Sequence, residues 1–242
     1  MTEVRVIPLR GMPEVEREDD LAALVAGVVT LEDGDVVVLT QKIVSKSEGR
    51  VVRLDDVEAT ERARELAGNE DPRRFEVILR EAARVVRSRP PLVIAETRHG
   101  FVCASAGVDF SNAPEAGTVV LLPEDPDASA ARIRERLSEL TGRDVAVLIT
   151  DSFGRPWRQG TTDVAIGAAG LQVLLDLRGV RDRVGYELHA TTIAVADEIA
   201  GAAELVMGKT EGVPGAIVRG LSLAGGGRAR DLVIPPERDL FR

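Results

Sequence analysis

The residues best suited to chemistry lie between Val145 and Gly167, in the run VAVLITDSFGRPWRQGTTDVAIG. Val145 to Ile149 form a short, β-branched apolar run, the pattern of a strand covered on both faces. Thr150, Asp151 and Ser152 follow where that strand should stop. A carboxylate beside a hydroxyl offers hard oxygen ligands of the kind that suit Mg²⁺ or Mn²⁺. Arg155 and Arg158 stand close by, and a guanidinium can grip a phosphate or carboxylate with two parallel hydrogen bonds. Glycines at 154, 160 and 167 permit close backbone approach, and the only tryptophan, Trp157, falls in the same turn. The expectation is the floor of an anion-binding active site; the plainer alternative is a polar loop of Arg–Asp surface pairs anchored by Trp157.

Other reactive groups stand at comparable places. A strong strand after Gly34, VVVLT, delivers Gln41 and Lys42, with Lys46 a few residues on. The lysines could neutralise phosphates, or be solvated loop charges. Asp109 and Asn112 share a loop of small residues, where an Asp can also serve as a turn former. The glycine-rich turn from Gly208 to Gly215 holds Lys209, Thr210 and Glu211, but it is not a P-loop: GxxxxGK[ST] needs a glycine where Ala203 stands. Together, Asp109, Asp151, Glu211, Asn112, Ser152, Lys42, Lys46 and the two arginines would compose an oxygen-ligated divalent-cation site facing a polyphosphate. Nothing in composition alone brings them together in space.

Composition narrows the classes. At 242 residues the chain suits one large domain or two small lobes. No apolar run approaches the roughly 18 to 20 residues that cross a bilayer, and MTEVRVIPLRG has no signal-peptide core. A cytoplasmic protein without a membrane partner is expected. A net charge of −9 and 3% aromatic residues argue against nucleic-acid binding. One cysteine, Cys103, and two histidines, His99 and His189, exclude an internal disulfide and a Cys- or His-rich metal centre.

The elements that must position these groups alternate between strand and helix, a mixed α/β pattern. Strands are expected at Val4–Ile7, at 36–40, at 118–122 and at 216–218, with a turn at Arg10-Gly11-Met12-Pro13. Leu92–Glu96 and Phe101–Ala104 read as a hairpin about Arg98-His99-Gly100. Helices are expected from Leu21 for about three turns, over 55–66, over 73–87 with Phe75, Ile78, Leu79, Ala82, Val85 and Val86 at helical spacing, from Asp125 to Thr141 with Gly142 at its end, and over 192–207.

Five segments, IPLRGMPEV, QKIVSKSEGR, ETRHGFVCASAGVDFSN, LITDSFGRPWRQGTTDVAIGAAG and ELVMGKTEGVP, resemble, in order, the signature blocks of the coenzyme F420-0:L-glutamate ligase family, the γ-glutamyl ligases of F420. The resemblance implies a GTP-dependent enzyme that joins L-glutamate to the lactyl carboxylate of F420-0 through an acyl phosphate, and that can add further γ-linked glutamates. It implies an α+β (mixed α/β) fold peculiar to the family, neither Rossmann nor P-loop, with two subunits intertwined as a homodimer. It also implies a single ligase domain over 1–242 without a C-terminal nitroreductase-like domain.

By the same resemblance Asp109, Asp151 and Ser152 are metal ligands and Glu211 serves a second divalent ion, Mg²⁺ or Mn²⁺, with K⁺ as a further cofactor. GTP is held by Arg10, Gly11, Met12 and Pro13, by Gln41, Lys42 and Lys46, by Asn112, and by Met207, Gly208, Lys209, Thr210, Gly212, Val213 and Pro214. Arg155 and Arg158, with Thr161 to Asp163, are expected on charge complementarity to form the wall that orients the acceptor or the incoming glutamate. His99 is a candidate general base, or a structural hydrogen-bonder beside its turn; Cys103 is expected to be buried packing. Two other readings stand beside the ligase: a non-catalytic GTP- or metal-binding regulatory module, and a metal-dependent phosphotransferase or NTP hydrolase with another acceptor.

Overall fold

The structure is a computed structural model that describes residues 3–111, 113 and 115–240. In chain order its elements are β1 (Arg5–Pro8), α1 (Leu21–Val28), β2 (Val36–Thr40), α2 (Gln41–Ser47), β3 (Val51–Arg53), α3 (Glu61–Ala67), α4 (Pro72–Glu81), β4 (Ala82–Arg89), β5 (Leu92–Thr97), β6 (Val102–Ala104), β7 (Thr118–Val120), α5 (Pro126–Thr141), β8 (Ala146–Arg155), β9 (Arg158–Ala169), β10 (Leu175–Asp176), β11 (Thr192–Ile193), α6 (Val195–Met207) and β12 (Gly215–Arg219).

Because Val36–Leu39 of β2 and Ala146–Ile149 of β8 are apolar at every position, they require cover on both faces, and the fold supplies it. Five strands form the main sheet in the order β1-β12-β2-β8-β9, with β2 and β8 parallel and the other neighbours antiparallel. Val37, Leu39, Val147 and Ile149 pack with α1, α2 and α5 on one face. Val36, Val38, Ala146 and Leu148 pack with the alanine-rich α6 on the other. Burying each Val or Leu of this kind stabilises the fold by roughly 1.5–3 kcal/mol. A third apolar cluster joins α3, α4, β5 and β7, beside the antiparallel sheet β4-β5-β6 and the pair β3-β7. The architecture is mixed α/β with several sheets, and no sheet closes into a barrel among the described residues.

Several expected elements are found where the sequence puts them. Asp125 caps α5 by accepting from the N–H of Ala128, and Gly142 ends it with a left-handed φ of 68°. The hairpin β5-β6 turns at Arg98–Gly100. Others differ. The helix expected over 73–87 stops at Glu81, and Val85 and Val86 lie in β4, which pairs with β5 through two register shifts. Their β-branched side chains suit a pleated surface, and a partner strand ten residues on is invisible to a test of helical spacing. The helix expected over 55–66 is a short 3-10 turn, then α3, whose start is set by Thr60 capping the N–H of Ala63. Gln41 to Lys46 form α2 rather than a loop. The strand beginning at Ala146 does not stop at Thr150: it continues to Arg155 and returns as β9, a long hairpin.

Candidate active site

The parallel strands β2 and β8 end in register, Thr40 beside Thr150. Past that point β2 turns directly into α2, while β8 runs on, which opens a cleft of about 190 Å³ at the carboxyl ends of the two strands. It is closed on the far side by Met12 and Pro13, and by the turn after α6. Asp109 reaches it from a loop pinned to Val120 by a two-way backbone bridge.

Alternation along β8 sends Val147, Ile149 and hence Asp151 toward one face, and Leu148, Thr150 and Ser152 toward the other. The cleft at the sheet's end collects both sets. Asp151 keeps some contact with solvent, but protein atoms surround its carboxylate. Burial first, then the neighbouring Asp109 and Asp163, push its pKa up to about 7, against the N–H of Ser152 and the ammonium of Lys209, which lower it. Asp163, directly opposite Ser152 on β9, is buried. It accepts hydrogen bonds from Ser152 Oγ at 2.6 Å and from Thr150 Oγ1 at 3.0 Å. Its own N–H donates to Glu204 on α6 at 2.9 Å.

Each lysine of the cleft is engaged by an acid or a hydroxyl. Lys42 Nζ pairs with Asp109 Oδ2 at 2.8 Å and donates to Ser111 Oγ at 3.0 Å. Lys46, nearly buried, pairs with Glu14. Lys209 donates to Ser152 Oγ. Gln41 is buried in the wall; its Oε1 accepts from Ser45 Oγ at 2.8 Å, while Nε2 has no acceptor. A buried amide without an acceptor costs about 1–3 kcal/mol, which sets this side chain apart from the satisfied polar groups around it.

Among the described residues, no group of three or more Asp, Glu, His or Cys side chains is arranged to hold a metal ion. The donor chemistry nevertheless suits a hard divalent cation, since Asp151, Asp109 and the Ser152 hydroxyl offer only oxygen. Burial chiefly, and then repulsion from Asp109 and Asp163, raise the Asp151 pKa, and a cation beside the carboxylate would offset both. Asp109, Asp151 and Ser152 are the residues that would hold it.

The structure brings together Met12, Pro13, Gln41, Lys42, Lys46, Asp109, Asp151, Ser152, Met207, Gly208, Lys209, Gly212, Val213 and Pro214 around the cleft. Thr210 lines an adjoining groove that shares Glu14, Lys46, Lys209 and Gly212 with it. Arg10 and Gly11 lie outside the lining. So does Glu211, an exposed residue whose carboxylate folds back to accept from the N–H of Thr210 at 3.1 Å; that N–H and the nearby Arg10 hold its pKa below the usual value. Arg155 and Arg158 pair at the tip of the β8-β9 hairpin, exposed and away from the cleft. Asn112 falls outside the described residues.

His99 does not line the cleft. Its Nε2 bonds the carbonyls of Pro123 and Glu124 at 3.0 and 3.1 Å, the structural role that was its alternative reading. Cys103 is buried, and desolvation raises its thiol to about 12, so it is inert packing. Sequence reasoning missed Glu14, Thr40 and Glu204, gave Thr150 no role beyond the strand's expected end, and placed Asp163 on an acceptor wall, whereas both its oxygens are taken by protein hydroxyls. The one signal for Glu204 was its place on the last turn of an apolar helix leading into a glycine turn.

The chain is 49% identical over 99% of its length to a protein of Methanopyrus kandleri named coenzyme F420:L-glutamate ligase, covering 98% of that protein. It is 43% identical to the protein of that name in Methanothermobacter thermautotrophicus, over 99% of both chains. With its counterpart in Archaeoglobus fulgidus the identity is 42%, over 99% of this chain and 96% of the relative. The family described as F420-0:Gamma-glutamyl ligase matches residues 11–220, so this chain belongs to the F420-0:γ-glutamyl ligase family.

Proposed function

We propose that this protein is a GTP-dependent ligase that joins L-glutamate to the lactyl carboxylate of F420-0 and can extend the product by further γ-linked glutamates. Relatives that match it from end to end are named coenzyme F420:L-glutamate ligases. The observation that carries the nucleotide part of the reading is the cleft itself, where Lys42, Lys46 and Lys209 share one lining with Asp109, Asp151 and buried Asp163, beside buried Gln41 with its unpaired amide.

A carboxylate does not condense with an amine at neutral pH, so one of its oxygens must first become a leaving group. Phosphoryl transfer from GTP to the lactyl carboxylate gives an acyl phosphate and GDP; the glutamate amine then attacks the acyl carbon, and phosphate departs. In this reading Lys42, Lys46 and Lys209 balance the phosphates, while the backbone of Gly208 and Gly212 lets the chain approach them closely. Gln41 Nε2 donates to an oxygen of the nucleotide. A divalent cation, Mg²⁺ or Mn²⁺, held by Asp109, Asp151 and Ser152 would spread the charge that develops on the transferring group. A second divalent ion would be held by Glu211 once its carboxylate leaves the N–H of Thr210 and turns toward the cleft, and a K⁺ would complete the set. Arg155 and Arg158 meet the acceptor if the hairpin tip closes on it or on a second copy of the chain. The homodimer is part of this reading, and the exposed side chains of Trp157, Val184, Tyr186 and Leu205 are apolar surface that a second copy could cover. No helix among the described residues is long and apolar enough to cross a membrane.

Incubation with GTP, Mn²⁺, L-glutamate and F420-0 tests the reading. GDP release matched by a product heavier by one glutamyl residue is expected. Absence of both overturns it, and GDP formed without F420-0 or glutamate favours an NTP hydrolase instead.

A further inference from the structure

Asp163 is a buried carboxylate that the reaction above does not use. It stands across the β8-β9 ladder from Ser152, and its two oxygens accept from two hydroxyls on one face of β8, Ser152 Oγ at 2.6 Å and Thr150 Oγ1 at 3.0 Å. An ionised carboxylate can only accept, so both hydroxyl protons point at Asp163. A serine oxygen that has given its proton to one partner has only lone pairs left for others. The ammonium of Lys209 meets those lone pairs from the cleft side. Asp163 is itself fixed by the bond from its N–H to Glu204 on α6.

We propose that Asp163 is a positioning residue: it sets the Ser152 hydroxyl so that the oxygen presents lone pairs, and never its proton, to the cation that Asp151 and Ser152 hold together. This rests on the cation reading of the cleft and extends it one step behind the ligands. Outer partners of this kind hold a ligand in the orientation and polarity that a cation requires, and removing one weakens binding by roughly 10- to 100-fold.

Mn²⁺ binding to the nucleotide-free protein, followed by the loss of the free-ion electron paramagnetic resonance signal, reads the effect without turnover. Asp163→Asn is expected to weaken Mn²⁺ binding by roughly 10-fold or more, with the melting temperature recorded on the same samples. Removing a negative charge would weaken binding even without a positioning role, so the same change is made in Ser152→Ala. If Asp163 acts through Ser152, the double variant binds no more weakly than Ser152→Ala alone. Equal losses in both backgrounds would show a charge effect only and overturn the proposal, as would wild-type affinity in Asp163→Asn. Asp163→Glu, which keeps the charge but shifts the oxygens by a methylene, serves if the Asn variant fails to fold: positioning predicts the same loss, and retained affinity defeats it. Should the wild-type protein itself take up no Mn²⁺, the cation reading falls, and the role of Asp163 with it.

Discussion

The elevated pKa of Asp151 has a consequence for stability that can be measured with no substrate present. Its carboxyl titrates near 3.8 when the chain is unfolded and near 7 in the folded, cation-free protein, chiefly because burial disfavours the charge. Below pH 3.8 the group is protonated in both states and contributes nothing. Between about 4 and 7 the unfolded chain has released the proton and the folded chain has kept it. The folded state then binds more protons, so its stability falls as pH rises, by up to about 1.4 kcal/mol per pH unit. Above about 7 the penalty is complete and constant. A shift of roughly three units sets a ceiling of about 4 kcal/mol. Asp151 retains some solvent contact and Lys209 lies within its field, so ~1–3 kcal/mol is the expected size.

Asp151→Asn removes this term while keeping an oxygen to accept the N–H of Ser152, a bond of 2.9 Å in the wild-type protein. Urea denaturation of both proteins in the presence of a chelator, across pH 4.5 to 8.5, isolates the group, because every other titration is common to the pair and cancels in the difference. The variant's advantage should be smallest at the acid end, where the wild-type penalty has only begun, and grow to ~1–3 kcal/mol at the alkaline end. Saturating Mn²⁺ at pH 8 should raise the wild-type midpoint and leave the variant's where it was. A stability difference that stays flat with pH, or a wild type that is the more stable at pH 8, would refute the reasoning from burial and carboxylate repulsion.

Three further outcomes follow from geometry. Gln41→Met keeps the shape but removes both the unpaired Nε2 and the Oε1 that accepts from Ser45, two losses of opposite sign for the fold, and should weaken GTP binding by roughly 10-fold while changing stability by less than about 1 kcal/mol, as read by nucleotide titration and urea denaturation. Gly167→Ala would put a Cβ at 2.4 Å from the carbonyl oxygen of Pro126 at the start of α5, and should cost ~1–3 kcal/mol in the same denaturation assay. Arg155→Ala and Arg158→Ala, at the hairpin tip, should leave Mn²⁺ and GTP affinity unchanged and, if these arginines orient the acceptor, raise KM for F420-0 alone; loss of GTP affinity would contradict their placement away from the cleft.

Much of the main sheet was legible because its evidence is local. An unbroken apolar run such as Val36 to Leu39 demands two covered faces, and Asp125 with Gly142 brackets α5 by capping chemistry. The errors arose where a distant partner decides. Val85 and Val86 fit a helical stripe as well as a strand, and only pairing with β5 settles the choice. Within the site, Asp109, Asp151, Ser152 and the lysines could be singled out by residue type at strand ends. The roles of Thr150, Asp163 and Glu204 could not be read, since each matters through the neighbour it faces.

That facing depends on a single irregularity in β9. Ile149 pairs with Gly167 but Thr150 pairs with Ala165, so β9 carries one residue, Ile166, with no counterpart on β8. The extra residue flips the alternation: Ala165 and Ala168, three apart, both face α6, while Ile166 and Ala169 both face the opposite core. Were the ladder regular, Val164 would stand across from Ser152 and Asp163 would turn toward the apolar core. The bulge therefore places a carboxylate opposite the Ser152 hydroxyl, beside a site built from both faces of β8. It also brings Gly167, which has no room for a side chain, against the first turn of α5. An acid, a serine and a one-residue bulge are each unremarkable in a sequence; their register makes a hydroxyl whose proton is already committed.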